Sequence, residues 1–533
     1  MMKILSRYFF LLFVFLFSNY TFSQTVRRPK LVVNIVIDGL RSDYISLLWD
    51  DFDEGGFKRL IQSGAYAKRM SYPYMNVGRF ADYATIMSGT VPAVHGITAN
   101  NCWDTILQQP YSILRDPACE GINTAEKYSP KSLECSTLSD EIRLWSGGKG
   151  KTCAIGINPE STILLAGHGG KAVWLDPFSA QWATSSYYGT ILPSWAMNFN
   201  LEGQIKEYMQ DDWVNLLPQV FYKTQSYKNP SSTFFVYKLG KLSGYEQAKL
   251  FLQSPFANSA VIDLSLRALN DEYLGVDDDT DLLNLQLTVR GEGMVSAAGL
   301  TAEMQDMYYR LDKDLKRFMD EVDELCSLGD VLYVVTASQE EYVSPECLKQ
   351  YGIPTGYFVG DRSMSLLGTY LMAIYGQVDF FVGYSNGQLY LNREEIRLAG
   401  LDFDDVAQKV AEFMRRFEGV QTAFTAKDME QITNDDEFVR RAKLAFRYDK
   451  GGDVLVFLKP GWVDVPKEEV KIGRSSRMNN FAPLIISGWK IAPQTITSSV
   501  SVLDITPTLC SLLELPFPNA NLQKGIWLTL KEK

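Results

Sequence analysis

Residues 30–39 read KLVVNIVIDG, an almost unbroken apolar and largely β-branched run that ends in an aspartate and a glycine. Such a run is typical of a strand that is buried on both faces of a sheet. In open sheets of parallel strands, functional residues lie beyond the carboxyl ends of the strands. The stretch therefore predicts both the core of the fold and a first candidate site residue, Asp38.

The rest of the chain repeats this alternation of apolar runs and charged, amphipathic stretches. Further strands are predicted over Thr152–Ile157, Leu282–Val289, Val331–Thr336 and Leu484–Ser487. Helices are predicted over Phe57–Ser63, Ala81–Met87, Ala302–Cys326 and Ser501–Leu513. Strands separated by helices predict an α/β fold with a doubly wound, mainly parallel central sheet flanked by helices. The ends of the predicted strands add candidate positions at Asn158, Gly291, Ser338 and Phe481.

Two long stretches interrupt this alternation. Residues from about 192–270 and 338–474 are rich in aromatic side chains and are predicted to be insertions that cap the sheet. We assign residues 25–533 to one α/β domain that carries these two insertions. A sugar or nucleotide pocket could also be floored by Trp174, Trp182, Tyr187, Tyr188 and Trp195, but core packing is the favoured interpretation.

The N-terminus has the pattern of a targeting segment. Lys3 and Arg7 precede the apolar run Phe9–Phe17, and a plausible cleavage site lies near Ser23. This arrangement predicts a signal peptide over residues 1–24, and hence a protein that is exported, either periplasmic or secreted. An uncleaved membrane anchor is the alternative, but the apolar run is shorter than the roughly 20 residues needed to cross a bilayer. We therefore expect no membrane span after cleavage.

The charge balance excludes one broad class of function. The chain has 533 residues, with 52 Lys and Arg against 63 Asp and Glu, and 52 − 63 gives a net charge of −11. Proteins that bind nucleic acids or anionic membranes depend on clustered cations, so neither is an expected partner. Seven cysteines, none of them in a C-x-x-C pair, predict buried thiols together with one or two disulfides.

Eight segments, in order along nearly the whole mature chain, resemble one known superfamily. They are RPKLVVNIVIDGLRSDY (28–44), EGGFKRL (54–60), SGTVPAVHGITANN (88–101), AGHGGKAVWLD (166–176), YRLDKDL (309–315), VLYVVTA (331–337), PLIISGW (483–489) and LDITPTLCSLLEL (503–515). The resemblance is to the alkaline phosphatase superfamily. Within it, the segments are most similar to exported bacterial phosphomonoesterases with a threonine nucleophile and to nucleotide pyrophosphatase/phosphodiesterases.

The resemblance implies a phosphoric-ester hydrolase that uses two zinc ions, a hydroxyl nucleophile at a helix N-terminus and a few phosphate-binding side chains. Paired cations lower the pKa of the nucleophile and stabilise both oxygens of an in-line displacement. In this chain the resemblance places Arg79 at the nucleophile position. A guanidinium offers no lone pair and is not deprotonated in proteins, so it cannot attack phosphorus. The asparagine that binds a phosphate oxygen is retained as Asn100, with Asn101 as a rival.

Most of the metal ligands that the resemblance implies are also replaced. The family's three histidines and three aspartates correspond to one retained aspartate, Asp38, and to five substituted positions, Gly291, Val295, Ser338, Gln339 and Phe481. The phosphate-binding lysine and arginine correspond to Asn158 and Glu160. The only two histidines, His95 and His168, cannot supply three ligands, and we interpret both as hydrogen-bonded turn residues. The sequence therefore predicts no cofactor, whereas active relatives are expected to hold two zinc ions.

Three interpretations are open on these residues. The first is a pseudoenzyme that lacks the zinc pair and the nucleophile and acts by binding or structure. It predicts an ion pair between Asp38 and Arg79, because a buried carboxylate without metal needs another partner, and it allows Arg79 and Asn100 to hold an anion. The second is an active metal-dependent phosphomonoesterase or phosphodiesterase with an atypical site. The third is a non-enzymatic partner of an envelope protein.

Overall fold

The computed structural model describes residues 28–531, except 76, 105–108, 291–298, 327–328, 339–344, 434–435, 466, 468–473 and 476–480. The predicted signal peptide lies outside the described residues, and so do three candidate positions, Gly291, Val295 and Gln339.

The strands are short and are distributed along the whole described chain. They are β1 (Leu31–Asp38), β2 (Ala65–Ser71), β3 (Asn101–Asp104), β4 (Gln109–Ser112), β5 (Gly121–Ile122), β6 (Thr152–Gly156), β7 (Lys171–Leu175), β8 (Trp182–Ser185), β9 (Asp212–Val214), β10 (Val236–Lys238), β11 (Asp281–Thr288), β12 (Val331–Thr336), β13 (Tyr357–Val359), β14 (Phe381–Ser385), β15 (Gln388–Leu391), β16 (Val420–Thr425), β17 (Val454–Leu458), β18 (Val463–Val465), β19 (Arg474–Ser475), β20 (Phe481–Gly488), β21 (Gln494–Thr495) and β22 (Val500–Ser501).

The helices alternate with these strands. They are α1 (Ser42–Leu47), α2 (Phe57–Ser63), α3 (Arg79–Ser88), α4 (Pro92–His95), α5 (Leu138–Trp145), α6 (Pro159–Ala166), α7 (Ser194–Glu202), α8 (Gln204–Tyr208), α9 (Gly244–Leu252), α10 (Pro255–Asp271), α11 (Ala302–Leu325), α12 (Pro345–Gln350), α13 (Gly360–Tyr375), α14 (Arg393–Leu398), α15 (Phe403–Met414), α16 (Ala426–Gln431), α17 (Glu437–Ala445) and α18 (Ile505–Leu512).

Within the part of the chain that the structure describes, eleven strands form one central sheet. Its order is β21, β2, β20, β12, β1, β11, β6, β7, β8 and β5, and β22 also pairs with β2. The middle is parallel, because β12, β1, β11, β6 and β7 run in one direction. On either side of this block, β20 and β8 pair antiparallel. The predicted fold class, α/β with a mainly parallel central sheet flanked by helices, is confirmed.

The register between β1 and β11 is marked by a buried amide pair. Asn34 and Asn284 face each other across the two strands and are almost fully buried. The Asn34 amide donates to Asn284 Oδ1 over 2.8 Å, and the Asn284 amide donates to Ser139 Oγ over 3.3 Å. A one-residue slip of β1 would break this pair and turn its apolar side chains to the wrong face. The pair therefore helps to hold Asp38, four residues further along β1, in its place.

The two aromatic-rich stretches differ in how they are packed. Trp195, Phe199 and Trp213 of the first are buried and belong to the same hydrophobic core as the central sheet. The second has a hydrophobic core of its own around the antiparallel sheet β14, β15, β17 and β16, with Leu389 and Val454 fully buried. The limits of the two insertions stay predictions.

The aromatic side chains at residues 174–195 are mainly core residues, as favoured from the sequence. Trp174, Trp182 and Trp195 are at most 1% exposed, whereas Tyr187 is exposed. The expectation of disulfides is wrong for the six cysteines that the structure describes fully, since all of them are free thiols. Within the described ranges, no helix combines the length and apolar composition that a bilayer crossing requires.

We expect the Asn284→Ala substitution to lower the free energy of unfolding by about 1–3 kcal/mol, because it leaves the buried Asn34 amide without its acceptor. Urea unfolding followed by circular dichroism measures this loss. Asn270→Ala, at an exposed position on α10, is the matched control and should change stability by less than about 0.5 kcal/mol. Equal effects of the two substitutions would contradict the role given to the amide pair.

Candidate functional site

The candidate site is built around the carboxylate of Asp38, the last residue of β1. Asp38 is only 6% exposed. Its Oδ1 atom accepts hydrogen bonds from the hydroxyls of Tyr83 over 2.9 Å and Ser338 over 2.8 Å. Tyr83 lies on α3, and Ser338 follows the end of β12. Two elements that flank the end of β1 therefore converge on one oxygen.

The second carboxylate oxygen is held by Gln286 of β11. The Gln286 amide nitrogen donates to Asp38 Oδ2 over 3.1 Å. Its amide oxygen accepts from the backbone N–H groups of Ile157 and Asn158, each over 2.8 Å. Gln286 thus connects the carboxylate to the segment that follows β6. Such a fully hydrogen-bonded buried polar group fixes its neighbours in one arrangement.

Arg79 is the first residue of α3 and faces the same carboxylate. Its Nη1 atom lies 3.7 Å from Asp38 Oδ2, and its side chain is 22% exposed. The ion pair predicted from the sequence is therefore present. Because the pair is mostly buried, the attraction is screened less than it would be at the surface. The position that the resemblance assigns to the nucleophile carries a cation.

Asn100 is fixed against the start of the same helix. Its Oδ1 atom accepts a hydrogen bond from the backbone N–H of Phe80 over 3.2 Å, which satisfies one of the open donors of the helix N-terminus. Gly78 precedes the helix with a φ of 113°. A Cβ atom at Gly78 would lie 2.3 Å from Asn100 Oδ1, so the close approach requires glycine. Arg79 and Asn100 are thereby placed at one helix end.

The two positions that the resemblance assigns to phosphate binding have other contacts. Asn158 caps α6, since its Oδ1 accepts from the Ser161 N–H over 3.0 Å. Glu160 is buried and accepts a hydrogen bond from the Ser112 hydroxyl over 3.0 Å. Burial raises the pKa of Glu160, and the positive charge of Arg79 opposes this rise. Glu160 therefore adds a second acidic side chain within electrostatic reach of Arg79.

The described candidate positions do not all gather at Asp38. Ser338 does, through its hydroxyl. Phe481, the first residue of β20, lies two strands from β1 and is 41% exposed. The guanidinium of Arg69 lies 4.1 Å from the centre of its ring. Tyr83 and Gln286 also contact Asp38, although neither was predicted from the sequence to do so. Tyr83 follows Arg79 by four residues and thus shares its helix face, a signal that was available.

Both histidine rings are held by hydrogen bonds within the protein. The Nδ1 atom of His95 accepts from the Ile97 N–H over 3.1 Å, its Nε2 atom lies 3.0 Å from Thr85 Oγ1, and burial lowers its pKa to about 3. The two ring nitrogens of His168 each lie 3.0 Å from an acceptor, Asp140 Oδ2 and the Leu133 carbonyl. The hydrogen bond with Asp140 raises the pKa of His168 above 6.5. His95 is thus neutral, whereas the hydrogen bond to Asp140 favours the imidazolium form of His168.

Comparison with known proteins identifies several relatives over the full length. A sequence model described as "Type I phosphodiesterase / nucleotide pyrophosphatase" matches residues 32–475. Alkaline phosphatase PafA of Elizabethkingia meningoseptica is 26% identical over 521 residues, which cover 95% of each chain. Alkaline phosphatase PhoV of Synechococcus elongatus is 27% identical over 523 residues, covering 96% of this chain and 94% of PhoV. The crystal structure of PafA matches with a TM-score of 0.85, covering 94% of this chain and 99% of PafA.

These comparisons correct the expectation that no cofactor is used. The named relatives are alkaline phosphatases. Members of that superfamily depend on metal ions, so the similarity points to metal cofactors and the prediction of none is wrong.

The described residues do not by themselves fit a dinuclear metal site. Outside the excluded segments, no group of three or more His, Cys, Asp or Glu side chains is arranged to hold a metal ion. Structural and catalytic zinc sites take three or four such ligands. Both oxygens of Asp38 are engaged by protein donors. We therefore derive no chemical step through a metal.

The contact between His168 and Asp140 predicts a pH-dependent stability. A base whose pKa is higher in the folded state adds stability below its unfolded-state pKa of about 6.5, and this contribution is lost as the pH rises through the folded-state pKa. The stability difference between wild type and His168→Asn should therefore be largest at low pH and shrink as the pH rises from about 6.5. Urea unfolding across this range measures it. A difference that grows with pH would contradict the assignment.

Proposed function

The chain belongs to the type I phosphodiesterase/nucleotide pyrophosphatase family, within the alkaline phosphatase superfamily. From this premise we propose that it is an exported member that acts by binding and does not hydrolyse phosphoric esters. The family membership confirms the resemblance seen in the sequence. The step that this chain is proposed to lack is the attack of a nucleophile on phosphorus.

The observation that carries the proposal is the position of Arg79. It is the first residue of α3 and forms an ion pair with Asp38 at 3.7 Å. A guanidinium has no lone pair for attack on phosphorus and stays protonated. The hydroxyl nearest to the carboxylate on the same helix, Tyr83, donates to Asp38, and burial raises its pKa well above 10. Activating this phenol as a nucleophile would therefore be unfavourable.

The charges around Arg79 support the same conclusion. A phosphate monoester carries up to two negative charges and is bound in proteins by clustered cations and N–H donors. Here Asn158 is used as a helix cap, and Glu160 is an acid where the resemblance implies a cation. Because Arg79 already has Asp38 as its partner, a doubly charged ester would meet two acidic side chains and one cation.

The second candidate is an active metal-dependent phosphomonoesterase or phosphodiesterase with an atypical site. The full-length similarity to alkaline phosphatases PafA and PhoV favours it. It requires a nucleophile other than the side chain at position 79. An activated water or a hydroxyl outside the described residues would meet that requirement, and hydrolysis measurements distinguish the two candidates.

Export is the part of the proposal that rests on the N-terminus. The basic residues Lys3 and Arg7 before the apolar run Phe9–Phe17 support a cleaved signal peptide and a periplasmic or secreted protein. An envelope protein is then the expected kind of macromolecular partner.

We expect purified wild-type protein to release no p-nitrophenol from p-nitrophenyl phosphate or bis-p-nitrophenyl phosphate, with or without added zinc, because position 79 lacks a nucleophile. A commercial alkaline phosphatase verifies the assay, and Asp38→Asn is the matched variant. Zinc-dependent turnover that is removed both by a chelator and by Asp38→Asn would establish the second candidate instead.

We further expect Arg79 and Asn100 to hold a small anion weakly, since Arg79 is shared with Asp38. Sulfate should raise the melting temperature of the wild type more than chloride at equal ionic strength does. This difference should become smaller in Arg79→Met, which keeps a long side chain but removes the charge, and the part that remains reflects the general exclusion of sulfate from protein surfaces. Lys524→Met, at an exposed position near the C-terminus, serves as control. An undiminished sulfate effect in Arg79→Met would exclude the anion site while leaving the hydrolysis result unaffected.

A further inference from the structure

A cavity of about 700 Å³ lies between the hairpin β3–β4 and the second insertion. On the hairpin side it is lined by Cys102, Trp103 and Tyr111, and on the insertion side by Tyr390, Arg393 and the loop 448–453. Its volume falls in the range of small-molecule sites, about 300–1,000 Å³. Asp38 and Arg79 are not among its lining residues, so it is separate from the site described above.

The packing of Trp103 shapes one wall of this cavity. The indole packs against Gly383 so closely that a Cβ atom at this position would be 2.0 Å from the ring. Trp103 and Tyr390, the cross-strand neighbour of Gly383, have ring centroids 6.4 Å apart and planes inclined by 24°. Tyr111 and Tyr448 add two further rings to the lining. The wall therefore offers extended aromatic surface next to polar groups.

The charged side chains that line the cavity balance one another. Three are cations and three are carboxylates: Arg115, Arg393, Lys450, Glu394, Asp449 and Asp453. Each has a partner of opposite charge. The pairs are Arg393–Asp453, Lys450–Glu134 at 2.6 Å, Arg115–Asp104 at 3.8 Å, Arg397–Glu394 at 2.6 Å and Arg447–Asp449 at 2.5 Å. A charged ligand would have to compete with these pairs.

Lys450 uses its three donors on Glu134 and on the carbonyls of Gly96 and Ser132, but arginine–carboxylate pairs keep further hydrogen-bonding positions. An arginine has five N–H donors and a carboxylate has about four acceptor positions, so one ion pair leaves several of each unused. Hydroxyl groups, which both donate and accept, match such a mixed set of donors and acceptors. Apolar C–H faces of a ligand pack on aromatic rings such as those of this wall. Uncharged sugars combine hydroxyl groups with apolar C–H faces. Anions and planar bases do not combine both without a charge or with as many hydroxyl groups.

We propose that this cavity binds a neutral, polyhydroxylated ligand, an uncharged oligosaccharide, with Trp103 and Tyr390 as its aromatic wall. The assignment uses none of the residues around Asp38, and it holds whether or not that site turns over phosphoric esters.

The test is calorimetric titration of the full chain with maltotriose, cellotriose and triacetylchitotriose. Trigalacturonic acid, the chitosan trimer and adenosine represent an acidic, a basic and a planar ligand. We expect at least one neutral trisaccharide to bind, and Trp103→Ala and Tyr448→Ala each to weaken that binding by about tenfold or more. Trp527→Ala, which changes a 94% exposed tryptophan outside the cavity, should leave it unchanged.

Several results would overturn the proposal. These are the absence of binding for all three neutral trisaccharides at about 10 mM, tighter binding of a charged trimer or of adenosine, and wild-type affinity in the cavity variants. Tyr448 is 50% exposed, so its substitution should not disturb folding. If Trp103→Ala does not fold, the Tyr448→Ala result decides.

Discussion

A carboxylate buried at the end of a strand is the constraint on which the candidate site depends. Removing such a charge from water costs several kcal/mol unless it is paired and hydrogen-bonded. Asp38 meets this condition with donors from Tyr83, Ser338 and Gln286 and with the charge of Arg79. Because β1, β11 and β12 are parallel, their carboxyl ends lie at the same edge of the sheet, where these donors can meet.

The positions at which the resemblance implies a departure from the family pattern carry contacts of their own. Ser338 donates to the carboxylate, Asn158 caps α6, and Glu160 is held by Ser112 near Arg79. Each side chain is thus integrated into the surroundings of Asp38 or of the helices beside it. This integration is the physical basis for proposing a site rebuilt for binding. The similarity to alkaline phosphatases points the other way, toward metal-dependent chemistry, and makes the hydrolysis measurement decisive.

The hairpin β3–β4 lies between the candidate site at Asp38 and the cavity beside the second insertion. Its Asn101–Ser112 pair lies beside Asn100 and Glu160, at the candidate site. The next pair, Cys102–Tyr111, lines the cavity against the second insertion. One short ribbon therefore borders both the candidate site and a cavity to which the second insertion contributes. This arrangement places the proposed oligosaccharide site beside the candidate site at Asp38.

The sequence alone determined the strands around Asp38 to within a residue or two, because burial on both faces produces a continuous apolar run. Residue identity was also sufficient to predict the ion pair between Asp38 and Arg79, whereas the assignment of Arg79 to the nucleophile position stays a prediction. Only the tertiary structure decided that Ser338, Tyr83 and Gln286 bind one carboxylate, across 300, 45 and 248 residues of chain. The packing of Trp103 against Gly383 likewise produces no local pattern in the sequence. Periodicity reports on near neighbours in the chain, whereas these contacts are set by strand order and register.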